Sequence, residues 1–122
     1  MEAKAVNRYE RQSARKVRLL ADMVRGKDLE QALNALHFSN KKASVAVEKT
    51  IRSAVSNLMN QEGGSGIEPE DLYVKTIYVD EAGIARRWRA GAMGRASIIR
   101  RRSCHLTVVV AEKENKHKQK QK

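Results

Sequence analysis

Between Ser13 and Arg25, apolar side chains recur at Val17, Leu20 and Val24, the spacing of one helix face. Arg15, Arg18, Asp22 and Arg25 lie mostly on the other faces. Ser13 suits an N-cap and Gly26 a left-handed terminating residue, so the pattern predicts a helix between them. Asp28 can cap a shorter helix carrying Leu29, Ala32, Leu33 and Leu36, which ends near His37 and Phe38. Ser39 or Asn40 would then cap a long helix to about Asn60, with Val47, Ile51, Ala54, Val55 and Leu58 inward.

The period then changes. Gln61 to Glu70, with three glycines and Pro69, reads as a loop. Leu72 to Val79 and Leu106 to Val110 are rich in β-formers and read as strands, and Ala3 to Tyr9 offers a third, shorter one. The segment between the two clear strands holds Ile84, Trp88, Met93, Ile98 and Ile99, too scattered for a core. Glycines at 83, 91 and 94 favour turns there. Extending both strands toward each other gives a long hairpin, about 80–104, with its tip near Ala90–Ala92. Ten residues per arm would project about 33 Å. A domain of about 100 residues has a radius of gyration of only about 13 Å. Such an arm needs something outside the fold to hold it.

Charge says what that partner is. The chain has 122 residues and a formal net charge of +11. Seven of its 13 arginines fall within residues 86–102, a stretch with no acid. Arginine presents a planar, permanently charged fork that engages phosphates in pairs of hydrogen bonds. Arg86, Arg87 and Arg89, then Arg95, then Arg100, Arg101 and Arg102 therefore predict phosphate contact, with Trp88 available to stack on a base or ribose. The competing reading is a solvated basic loop with Trp88 packed on the domain. Arg15, Lys16, Arg18, Arg25 and Lys27 form a second basic cluster around the first helix, either an RNA-facing surface or simply a solvated face. Residues 1–111 are expected to form one domain, and the lysine-rich 112–122 stretch a disordered tail.

Other chemistry is weakly supported. His37, His105 and His117 are dispersed and Cys104 is the only cysteine, so neither metal-site spacing nor an internal disulfide is available. Cys104 reads as a small strand residue. Glu68, Glu70, Asp71, Asp80 and Glu81 flank a loop and a strand end without a histidine or phosphate cradle nearby, and balance charge beside the basic arm. No enzyme and no cofactor are expected. No apolar run is long enough to span a membrane, and Met1 to Arg11 lacks the apolar core of a signal peptide, so a cytoplasmic protein is expected.

Several stretches resemble the universal large-subunit ribosomal protein twenty-two family in its bacterial form. They are Ser13–Asp22 (SARKVRLLAD), Val24–Lys27 (VRGK), Asn40–Ala43 (NKKA), Ser53–Asn57 (SAVSN), Val79–Glu81 (VDE), Gly94–Ala96 (GRA) and Arg101–Val110 (RRSCHLTVVV). Their order and spacing cover roughly residues 3–111. The resemblance implies an α+β fold, three helices packed on a small three-stranded antiparallel sheet with a long protruding hairpin. It implies a structural role in the large ribosomal subunit, with large-subunit rRNA and neighbouring ribosomal proteins as partners. The hairpin would line the peptide exit tunnel, and its changes would affect macrolide antibiotics. Arg87, Gly94, Arg95, Arg101, Arg102 and His105 are the best-matched hairpin positions, with Arg15, Lys16, Arg18 and Arg25 on the domain. At the tip, near the nascent peptide, the family usually carries Pro-Arg-Ala-Lys where this chain has Ala90, Gly91, Ala92 and Met93. Two positive charges and a rigid proline are thereby missing. Rival readings are a free-standing RNA-binding regulator, a membrane-surface protein, which would need an amphipathic basic helix or lipid signal, and a small enzyme, which would show metal or substrate dependence.

Overall fold

The computed structural model describes residues 2–61 and 66–113. Among these, three helices pack on one face of a three-stranded antiparallel sheet. The elements are β1 (Glu2–Glu10), α1 (Ala14–Val24), α2 (Leu29–His37), α3 (Ala43–Asn60), β2 (Leu72–Ala90) and β3 (Ala96–Glu112). The strand order is β1-β3-β2, which leaves β2 at an edge. The α3 helix lies over β1 and β3, and α1 over β2.

Patterning explains the layering. Cys104, Leu106, Val108 and Val110 alternate along β3 toward the helices, opposed by Val17, Leu20 and Val24 of α1 and by Val47, Ile51 and Leu58 of α3. All are fully buried or nearly so. Aromatic residues stay outside this core, and methionine reaches only its margin, through Met23 and Met59. Ser13 caps α1 by accepting from the Lys16 N–H at 3.4 Å, and Gly26 follows the helix at φ +78°.

Four boundaries differ from the sequence reading. Asp28 stands at the N-cap of α2, but its carboxylate makes no capping bond and pairs instead with Lys113 at 2.9 Å. The α3 helix begins at Ala43, because Ser39 accepts from the Lys41 N–H in a preceding turn and Ser44 donates back to the Lys41 carbonyl. Glu112 and Lys113, assigned above to the tail, belong to the fold: Glu112 pairs with Leu72, and the Lys113 N–H donates to the Asp71 carbonyl at 2.7 Å. Residues 114–122, including His117 and the remaining tail lysines, lie outside the described residues. The fourth difference concerns the hairpin tip. Pairing runs unbroken from Ile84↔Arg102 to Ala90↔Ala96, so Ala90 is the last ladder residue and the turn spans Gly91–Arg95, centred on Met93.

Candidate nucleic-acid interface

The hairpin leaves the sheet between two bulges. On β1, pairing jumps from Asn7↔Leu106 to Glu10↔Cys104, so that Arg8 and Tyr9 together oppose His105. An extra residue of this kind bends a strand and re-aims its side chains. Tyr9 takes φ +59°, its N–H donates to His105 Nδ1 at 3.1 Å, and the two rings meet edge to face at 4.7 Å. On β2, Ala82 and Gly83 oppose Ser103, whose hydroxyl donates to the Gly83 carbonyl at 2.9 Å. Beyond these bulges β1 turns away through Arg11–Ser13 into α1, and β3 runs on with β2 alone.

A cleft of about 900 Å³ opens where β1 and β3 part. Seven of its 12 lining residues are basic and none is acidic: Arg11, Lys16 and Lys42 come from the domain, and Arg87, Arg100, Arg101 and Arg102 from the hairpin. The nearest candidate acid in sequence, Glu10, has its two carboxylate oxygens taken by the amides of Asn7 and Gln12, both at 3.0 Å. A smaller hollow of about 350 Å³ adjoins the cleft and places Arg15 beside Glu81 and Arg102.

The arm itself is exposed from Gly83 to Ile98. Arg86 stands directly opposite Arg100. Like charges in that position weaken a strand pair unless an anion lies between them. Trp88 pairs with Ile98 two positions further out and keeps 66% of its surface exposed, rather than packing on the domain. None of the seven arginines of 86–102 forms an ion pair among the described residues. Arg89 and Arg95 are likewise exposed. At the tip, the Gly91 N–H bonds the Arg95 carbonyl, and a Cβ on Gly91 would come 2.9 Å from that oxygen. Met93 (φ +59°) and Gly94 (φ +72°) complete the reversal, leaving Met93 97% exposed, with Ala92 beside it in the same turn.

The cluster on α1 divides in two. Arg15 and Lys16 face the openings just described, but Arg18 and Arg25 are turned onto the sheet. The Arg18 guanidinium donates twice to the Val79 carbonyl, at 2.8 and 3.1 Å. Arg25 does the same to Ile77, at 2.8 and 3.3 Å, while pairing with Asp22 at 2.6 Å. Lys27 contributes through its backbone, exchanging bonds with Val74 in company with Gly26. Together these groups cover the outer edge of β2, whose carbonyls would otherwise invite another strand. His105 also has a structural task, since the Tyr9 N–H occupies its Nδ1. Arg11, Lys42 and Tyr9 were not singled out from the sequence. Arg11 and Lys42 lie about 30 residues apart, and only the fold brings them together at the hairpin root.

Cys104 is fully buried, and that burial, with a smaller contribution from Glu10, raises its pKa against the opposing charge of Arg18. Among the described residues no group of three His, Cys, Asp or Glu side chains is placed to hold a metal ion, and no helix is long and apolar enough to cross a membrane.

Comparison with known proteins covers both the domain and the arm. Residues 5–111 match the family model described as ribosomal protein L22p/L17e. A relative from Leptospira biflexa, the large ribosomal subunit protein uL22, is 49% identical over 95% of this chain and 98% of its own length. The proteins of the same name from Thermus thermophilus and Halothermothrix orenii are each 46% identical, over 95% and 93% of this chain and 100% and 98% of their own. This chain therefore belongs to the ribosomal protein L22p/L17e family, a family of structural, non-catalytic proteins.

Proposed function

We propose that the protein is a structural constituent of the large ribosomal subunit that grips large-subunit rRNA at two places, the cleft at the hairpin root and the arginine-bearing arm beyond it. The single observation that carries this reading is the arm: seven paired residues on its β2 side, Ile84 to Ala90, project from the core with arginines that form no ion pair among the described residues. Bare guanidinium groups at that density repel one another until phosphates intervene. Arg15 and Lys16 extend the basic surface onto the start of α1 and Lys27 adds a cation beyond its far end, whereas Arg18, Arg25 and His105 act on RNA indirectly, by holding the edge strand and the root in shape.

In this reading the arm runs inward along the wall of the exit tunnel. Its tip, Ala90, Gly91, Ala92 and Met93 with Gly94, lies nearest the nascent peptide, and neighbouring ribosomal proteins meet the domain. The bare tip offers the peptide a largely apolar, uncharged turn up to Arg95. The site of action is cytoplasmic, within the assembled subunit.

The test follows tagged protein through a sucrose gradient in rising salt, beside a variant lacking residues 84–99. The expected result is salt-resistant sedimentation with the large subunit, weakened by the deletion. A free RNA complex with about six phosphate contacts would instead lose ~1000-fold affinity between 50 and 200 mM salt. Protein at the top of the gradient at every salt concentration would discard the ribosomal role in favour of a free-standing RNA-binding regulator.

A further inference from the structure

We infer that the cleft at the hairpin root receives one unpaired nucleotide, its base against the Tyr9 ring and its phosphates on the surrounding cations. This rests on the RNA-binding role proposed above and specifies which conformation of RNA the cleft takes. Tyr9 lines the cleft and is 69% exposed, yet it is fixed from three sides. Its backbone sits at φ +59°, a left-handed conformation that a bulky residue rarely adopts. Its N–H is bonded to His105 Nδ1, and its ring is braced edge to face on the His105 ring. Strain of this sort persists only where neighbouring structure over-determines it, and it gathers at functional sites. Here the strain does not bury the aromatic ring. It presents the ring at the mouth of a concave space.

The cations make that space suitable for a backbone. Lys16 and Lys42 stand on the domain wall, Arg87 and Arg101 on the hairpin wall, and Tyr9 belongs to the bulge near the end of β1. A regular A-form helix keeps its bases stacked inside, beyond reach of such a ring, whereas a bulged or looped nucleotide can splay its base onto an aromatic face. Base stacking on an aromatic is tolerant of sequence, because every base has a π-face. His105 is accordingly a positioning residue: its Nδ1 accepts from the Tyr9 N–H, which requires the ring proton, when the imidazole is neutral, to sit on Nε2.

The full-length chain is titrated with four RNA hairpins, each bearing one unpaired A, C, G or U in the stem, and with the fully paired hairpin. At least one bulged RNA should bind roughly tenfold tighter than the paired one. Tyr9→Ala should abolish this preference, and Tyr9→Phe should keep it. His105→Asn, whose side-chain oxygen can replace Nδ1, should keep the preference, and His105→Leu should lose it. Equal affinity of the unaltered chain for all five RNAs, or a preference that survives Tyr9→Ala, overturns the inference. A preference that survives His105→Leu overturns the positioning role of His105. Failure to bind any of the five overturns the RNA-binding reading itself.

Discussion

β3 is one continuous strand that lives in two environments. From Cys104 to Val110 every second side chain enters the core, and the strand is paired on both sides. From Ala96 to Arg102 it is paired on one side only, and no side chain is buried. The backbone pairing is the same in kind, but what fixes it differs. In the domain, helices α1 and α3 cover one face and hydrophobic burial holds the register. In the arm, only cross-strand pairs remain, one of them Arg86 against Arg100. A two-stranded hairpin of that sort is marginal in water on its own. The domain carries its own stability, whereas in the proposed role the arm would borrow it from RNA phosphates.

The sharpest way to break this comparison is to delete one large apolar side chain from each region. Leu58 on α3 is completely buried, and Leu58→Ala should lower unfolding free energy by about 2–5 kcal/mol through lost burial and the cavity left behind. Trp88→Ala, in the protein free of RNA, should change it by less than about 0.5 kcal/mol, because its ring packs on nothing in the domain. Urea denaturation of both variants measures the contrast. Comparable losses would mean that the arm is part of the cooperative fold.

A smaller effect separates the arginines that look alike in sequence. Arg18→Ala should destabilise the free protein by about 1 kcal/mol, because two hydrogen bonds to the Val79 carbonyl disappear from the sheet edge. Arg25→Ala should act similarly through Ile77; its exposed pair with Asp22 adds little. Arg15→Ala should leave stability unchanged, since no hydrogen bond or ion pair within the described residues engages its side chain. Thermal melts of the three single variants decide the matter. A loss in Arg15→Ala equal to that in Arg18→Ala would erase the division drawn between sheet-covering and outward-facing cations.

That division marks where the sequence stopped being informative. Helical spacing located α1 and its buried stripe, because Val17, Leu20 and Val24 report their own period and Ser13 and Gly26 punctuate it. The long hairpin was legible from two β-rich runs and the arginines between them. The fate of an individual cation was not. A guanidinium three residues from another, as Arg18 is from Arg15, can face solvent or a strand carbonyl, and nothing in the local pattern distinguishes the two. The Asp28 carboxylate was similarly misread as a cap, because its partner Lys113 lies at the far end of the chain. The cleft was hidden for the same reason, being assembled from the β1–α1 connection, the start of α3 and the hairpin root.

Proton chemistry distinguishes the two regions least, but it does so cleanly. Burial, and secondarily Glu10, holds the pKa of Cys104 above its ordinary value. In the unfolded chain the thiol ionises near about 8.5. Below that range both states keep the proton and the contribution to stability is fully present. As pH rises through it, the unfolded state releases a proton that the folded state retains, so stability declines. The arm has no counterpart, because no side chain from 83 to 102 is buried. Melting temperature should therefore fall more steeply between about pH 8 and 10 in the unaltered protein than in Cys104→Ala, the slopes being compared rather than the absolute values. Every other titratable group is common to both proteins, so the difference in slope isolates the thiol. Parallel curves would show that the thiol, although buried, does not couple proton release to unfolding.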